Sequence, residues 1–132
     1  MKITVLAQHE LRLSAFDEDG IEIILENKMQ KLSALAMFVA SLGRCTFAVL
    51  DHYALRMDVP IENIVTKLEW DFLSDPTRFK TIKMDIYWPE VPEKRVASVE
   101  RASHKCAISN TIRDCVDIQV KVINSSFGVQ KA

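Results

Sequence analysis

The chain has 132 residues, 48% of them hydrophobic and 27% charged, an ordinary globular composition that excludes wholesale disorder. Seventeen basic against 18 acidic side chains leave a formal charge of −1, so no global field draws the chain to nucleic acid or an anionic membrane. Three widely spaced cysteines, Cys45, Cys106 and Cys115, fit neither a secreted disulfide framework nor, without a CxxC or HxxxH pair, a zinc site.

The opening apolar run ends at Gln8, His9 and Glu10, too soon for a signal peptide, and the chain is expected in the cytoplasm with reduced thiols. Residues 1–26 alternate. Ile3, Val5 and Ala7, then Leu11, Leu13 and Ala15, then Ile21, Ile23 and Leu25 predict a three-strand meander, with a turn at Asp17, Glu18, Asp19 and Gly20. Residues 31–57 change period, and their Ala, Leu and Met content without proline predicts a helix. Its middle is apolar on nearly all sides, which demands cover all round, from its own sheet and from another subunit. The apolar stretch from Ala34 to Leu50 is interrupted by Arg44 and falls short of about 20 apolar residues, so it reads as a buried helix and not a membrane span.

Residues 64–72 alternate cleanly, Ser74 to Thr77 make a turn, and Ile82, Met84, Ile86 and Trp88 alternate again, which predicts a hairpin with one solvated face. Val96, Val99 and Ala102 predict a short second helix, and Ser109 to Arg113 a turn or short helix. Val116, Ile118, Val120 and Val122 predict a last strand, followed by a loose tail from Asn124. The class is α+β, a single domain over residues 1–132 with mostly sequential, antiparallel strands.

Two cysteines stand in distinctive blocks. Ser33-Ala34-Leu35-Ala36-Met37-Phe38-Val39-Ala40-Ser41-Leu42-Gly43-Arg44-Cys45 ends a helix pattern in Leu-Gly-x-Cys, and Cys106-Ala107-Ile108-Ser109-Asn110-Thr111-Ile112-Arg113-Asp114 follows the second helix. Together the blocks resemble the two cysteine blocks of the OsmC/Ohr superfamily of thiol-dependent hydroperoxide reductases, over residues 10–123. The resemblance implies an intertwined homodimer with antiparallel sheets around a long buried central helix. It implies that Cys45 is the peroxidatic and Cys106 the resolving cysteine, at sites on the dimer interface. It implies an organic hydroperoxide as substrate and an external dithiol, of the lipoyl type, as reductant. The sulfur of Cys45 would become a sulfenic acid, and Cys106 would condense with it to a disulfide. Leu42 and Val49, one turn away on the helix, would favour an apolar peroxide.

The chain departs from the family pattern. The glutamate expected nine or ten residues before the first cysteine is replaced by Leu35 and Ala36. The arginine such a glutamate holds comes from the N-terminal strand region, where Arg12 is the candidate. Arg44 diverges from Cys45 by about 100° around the helix and is expected to face elsewhere. His52 of a partner chain is the other candidate cation. A thiol without a nearby cation is only a few per cent ionised at neutral pH. A second reading therefore stays open: a non-catalytic dimer that binds a small apolar ligand, or a thiol redox sensor. Cys115 reads as core, His9 and His104 as surface, and Trp70 and Trp88 as core or dimer interface. The Asp17 to Asp19 cluster lacks the pattern of a calcium loop. No phosphate-binding glycine loop or nucleophile elbow appears, and no cofactor or metal is expected.

Overall fold

The strand propensities of the first 25 residues and of 65–123 generate one six-stranded sheet, on which the long helix lies. The structure is a computed structural model and describes residues 1–15 and 20–128; the acidic turn expected at Asp17 to Asp19 lies outside them. In chain order the elements are β1 (Lys2–Ala7), β2 (Glu10–Ser14), β3 (Glu22–Leu25), α1 (Ala34–Met57), β4 (Val65–Leu73), β5 (Arg78–Tyr87), α2 (Val96–Ala102), α3 (Ala107–Ile112) and β6 (Asp117–Ile123), with a 3-10 turn at Glu93–Arg95. The α+β class is as expected.

The sheet order is β3-β1-β2-β4-β5-β6. β1–β2, β2–β4 and β4–β5 are antiparallel, but β1–β3 and β5–β6 are parallel. The expected three-strand meander is therefore corrected. β4 occupies the far edge of β2 through Leu11↔Leu68 and Leu13↔Thr66, so β3 pairs with the open edge of β1, Ile3↔Ile23. At the other end α2 and α3 carry the crossover that a parallel β5–β6 pair requires. The sheet is mixed, not antiparallel throughout.

Alternation decides which face is dry. Leu11, Leu13, Leu68, Ile82, Met84 and Ile86 are at most 3% exposed and form the core with α1. Each such side chain contributes roughly 1.5–3 kcal/mol by leaving water. α1 starts at Ala34, not at residue 31, because the Ser33 side chain caps it by accepting from the Ala36 N–H at 3.1 Å. It stops at Asp58, which adopts the left-handed conformation at φ 56°. Gly43 sets how closely the helix approaches the sheet. A Cβ there would stand 3.1 Å from both Leu13 Cδ2 and Leu68 Cδ1.

α1 is not covered all round within the chain. Val39, Leu42 and Leu50 are buried, but Met37 is 56% exposed and Leu55 78%. By length and composition α1 would suffice to cross a membrane, yet the face centred on Gly43 and Thr46 is packed on the sheet, as in a core helix. Trp88 is fully buried and its indole N–H donates to Pro60 O at 2.8 Å, a core role. The segment after β6 is packed rather than loose, since Phe127 meets Tyr87 edge to face at 5.1 Å.

Candidate active site

Cys45 stands in the middle of α1, half-buried at the border of the covered and uncovered faces. Cys106 is fully buried at the N-cap of α3, in extended backbone at φ −72° and ψ 156°. Its Sγ accepts from the Ser109 N–H at 3.3 Å and lies 3.8 Å from Thr46 Oγ1. The turn into α3 brings Cys106 close enough to Cys45 for each thiol to perturb the other's ionisation. The two sulfurs that sequence reasoning singled out therefore meet.

Their environments push the two groups apart. Burial raises the Cys45 pKa, but the Ile108 N–H, the Cys106 thiol, the Ala107 N–H and the Arg44 charge together outweigh it and leave it lowered. Burial dominates at Cys106 and raises its pKa; the Ser109 N–H and the Thr46 hydroxyl oppose it weakly, and the neighbouring Cys45 adds to it. Of the two, Cys45 is therefore the thiol that gives up its proton more readily, and Cys106 the one that keeps it. Thiolate, not thiol, is the nucleophile. The pH dependence follows in sign. As pH rises, Cys45 ionises first, below the range of an unperturbed thiol, and Cys106 above it. Limited iodoacetamide treatment at pH 7 should label Cys45 well ahead of Cys106, as read by peptide mass spectrometry. Equal labelling of the two would contradict this ordering.

Three contributors were not legible beforehand. The first is the pair of main-chain amides of Ala107 and Ile108, which have no side-chain signature. The second is Thr46, buried among apolar neighbours, whose hydroxyl also lies 3.0 Å from Leu42 O; a polar residue inside an apolar helix was the available signal. The third is Arg44. The angular argument had turned it away, yet its long side chain bends back to line the same groove as Cys45, with its guanidinium 5.7 Å over the Phe47 ring.

The other candidates fall elsewhere. Arg12 sits between the core residues Leu11 and Leu13 and opposite Lys67, so it leaves the sheet on the face away from α1. Its guanidinium lies 5.0 Å over Phe127 and is not beside Cys45 in this chain. His52 is exposed on α1, and His104 is exposed after α2. Cys115 is exposed and not core. His9 is exposed as expected and packs edge-on to Trp70 and Phe72. Ala36, at the place of the family glutamate, is core, and Leu35 is 46% exposed. Among the described residues no cluster of three or more His, Cys, Asp or Glu could hold a metal.

Cys45 opens on an apolar groove of about 450 Å³, lined by Ile3, Ile21, Ile23, Met37 and Ala48 besides Arg44. Leu42, expected to flank the sulfur, is fully buried in the core instead. The groove walls come from β1, β3 and the segment before it, which periodicity alone did not connect to α1.

Comparison with known proteins agrees with this fold. A crystal structure from Psychrobacter arcticus, described as an osmotic stress induced and detoxification response protein, matches with a TM-score of 0.67 at 16% identity, over 92% of this chain and 93% of that one. An organic hydroperoxide resistance protein OsmC from Legionella pneumophila matches at 0.59 and 20% identity, over 74% and 72% of the two chains. An OsmC like protein from Mycoplasma pneumoniae matches at 0.60 and 18% identity, over 74% and 75%. At these identities the likeness establishes the fold. No curated protein sequence matches the chain. The family model for OsmC-like proteins matches residues 26–121, a span that holds α1, both cysteine blocks and most of β6. The chain belongs to the OsmC-like family.

Proposed function

We propose that the chain is a thiol-dependent reductase of organic hydroperoxides. One observation carries this reading: a thiol with lowered pKa, held by the Ala107 and Ile108 amides against a second thiol of raised pKa, opens on an apolar groove. The Cys45 thiolate attacks one oxygen of the peroxide, the O–O bond breaks, and the alkoxide leaves and takes up a proton as alcohol. The sulfur is oxidised to sulfenic acid. Cys106 attacks that sulfur, water leaves, and an intrachain disulfide forms. An external dithiol of the lipoyl type reduces it by exchange. The groove favours a peroxide with an apolar tail, because burying that tail releases water from Ile21, Ile23 and Met37.

The exposed apolar face of α1 around Met37 and Leu55 supports assembly as a homodimer, in which a second copy supplies the missing cover. A cycle that starts from two reduced thiols suits a reducing compartment such as the cytoplasm.

The experiment is peroxide consumption with a lipoyl-type dithiol as reductant. Cumene hydroperoxide should be turned over at least about tenfold faster than hydrogen peroxide at equal concentration, the discrimination of a modest apolar contact. Equal rates would remove the role of the groove. Disulfide formation without sustained turnover would favour the thiol sensor, and neither would favour a non-catalytic binder of apolar ligands.

A further inference from the structure

A second cavity, of about 540 Å³, lies beyond the N-terminal end of α1 and shares no lining residue with the Cys45 groove. Its volume falls in the range of about 300–1,000 Å³ usual for small-molecule sites. One wall is aromatic. The His9 ring stands edge-on to Trp70, centroids 6.0 Å apart at 88°, and to Phe72, 5.4 Å apart at 73°. The main-chain N–H of Trp70 donates to His9 O at 3.2 Å and fixes the corner. The floor is apolar, from Val5 and Leu35.

The opposite rim is held in place by hydrogen bonds. Gln30 donates from Nε2 to Leu6 O at 2.8 Å and accepts from the Asn27 N–H at 2.9 Å, and Asn27 Oδ1 accepts from the Met29 N–H at 2.9 Å. A rim fixed before binding loses little freedom on binding. The charge has one sign. Lys31 lines the cavity and no carboxylate does, and among the described residues Lys31 forms no ion pair; the nearby Glu10 pairs with Lys67 instead, at 3.8 Å.

We propose that this cavity is a binding site for a planar aromatic carboxylate, its ring against His9 and Phe72 and its acid group toward Lys31. Flat apolar rings stack or meet edge-on with aromatic walls, and an unpaired ammonium at the mouth selects an anion over a neutral analogue. The site is separate from the thiol chemistry and does not depend on it.

The test is a titration of the isotope-labelled chain with 2-naphthoate, followed by NMR. The two tryptophans give an internal control, since Trp88 is fully buried elsewhere with its indole N–H on Pro60 O. The Trp70 indole signal should shift saturably with a Kd of about 1 mM or tighter, while that of Trp88 stays in place. Lys31→Glu, at an exposed position, should weaken binding at least about tenfold, and 2-naphthalenemethanol, the uncharged counterpart, should bind more weakly than the acid. Cys45→Ser should bind as the parent does. Non-saturating Trp70 shifts, an unchanged Kd in Lys31→Glu, or saturable shifts at Cys45 and Ala48 in place of Trp70 would each overturn the proposal.

Discussion

Replacing Cys45 by Ser should abolish peroxide consumption, with a loss of at least about a thousandfold, because a serine hydroxyl stays protonated where the thiolate forms. Serine is close to cysteine in size and Cys45 is only half-buried, so the fold should be retained and the loss should be chemical. Cys106→Ser should behave differently. Its first turnover should proceed, since Cys45 is still the attacking group, but the sulfenic acid then has no partner thiol beside it. Sustained turnover should fail, and excess peroxide should carry Cys45 on to the irreversible sulfinic acid. Rapid-mixing and steady-state measurements on the two variants separate these outcomes. Full activity in Cys45→Ser would end the assignment.

Gly43→Leu should be the most damaging single change in the helix–sheet contact. Even a Cβ at this position stands 3.1 Å from Leu13 and Leu68, so a whole isobutyl group has no space unless α1 lifts from the sheet. Overpacking of this kind costs on the order of 3 kcal/mol, visible as a lower urea midpoint with little change in slope. The effect reaches the site. Cys45 is two residues further along the same helix, and its partners Ala107 and Ile108 are on α3, so lifting α1 parts the sulfur from the amides. Alkylation of Cys45 at neutral pH should therefore slow in Gly43→Leu, in step with the loss of stability. Parent-like stability would show that the Leu13 and Leu68 side chains yield without moving the helix.

The fold was legible in the sequence where a local rule decides it. Lys67, Glu69 and Asp71 alternating with Leu68 and Trp70 gave β4 and its dry face, and a proline-free Ala, Leu and Met run gave α1. Strand neighbours were not legible in the same way. Alternation of Ile21, Ile23 and Leu25 marks a strand and its faces, but not whether it lies beside β2 or β1; the occupied edge of β2 decided that. The site divides along the same line. Cys45 and Cys106 carry their chemistry in their side chains and could be picked out. The Ala107 and Ile108 amides could not, because a main-chain N–H becomes a functional group only when a turn aims it. Arg12 shows the converse: residue type alone does not place a side chain beside a site, and within this chain its guanidinium lies over Phe127 on the other face of the sheet. Arg44 was missed because an angular rule for Cα positions does not constrain where a long side chain ends.

The most direct measurement is the state of the three thiols after one equivalent of cumene hydroperoxide is added to the fully reduced protein. Peptide mapping by mass spectrometry should show Cys45 joined to Cys106 within one chain and Cys115 still reduced. A Cys45 that stays reduced, that bonds to Cys115, or that ends as sulfinic acid with Cys106 untouched would contradict the account.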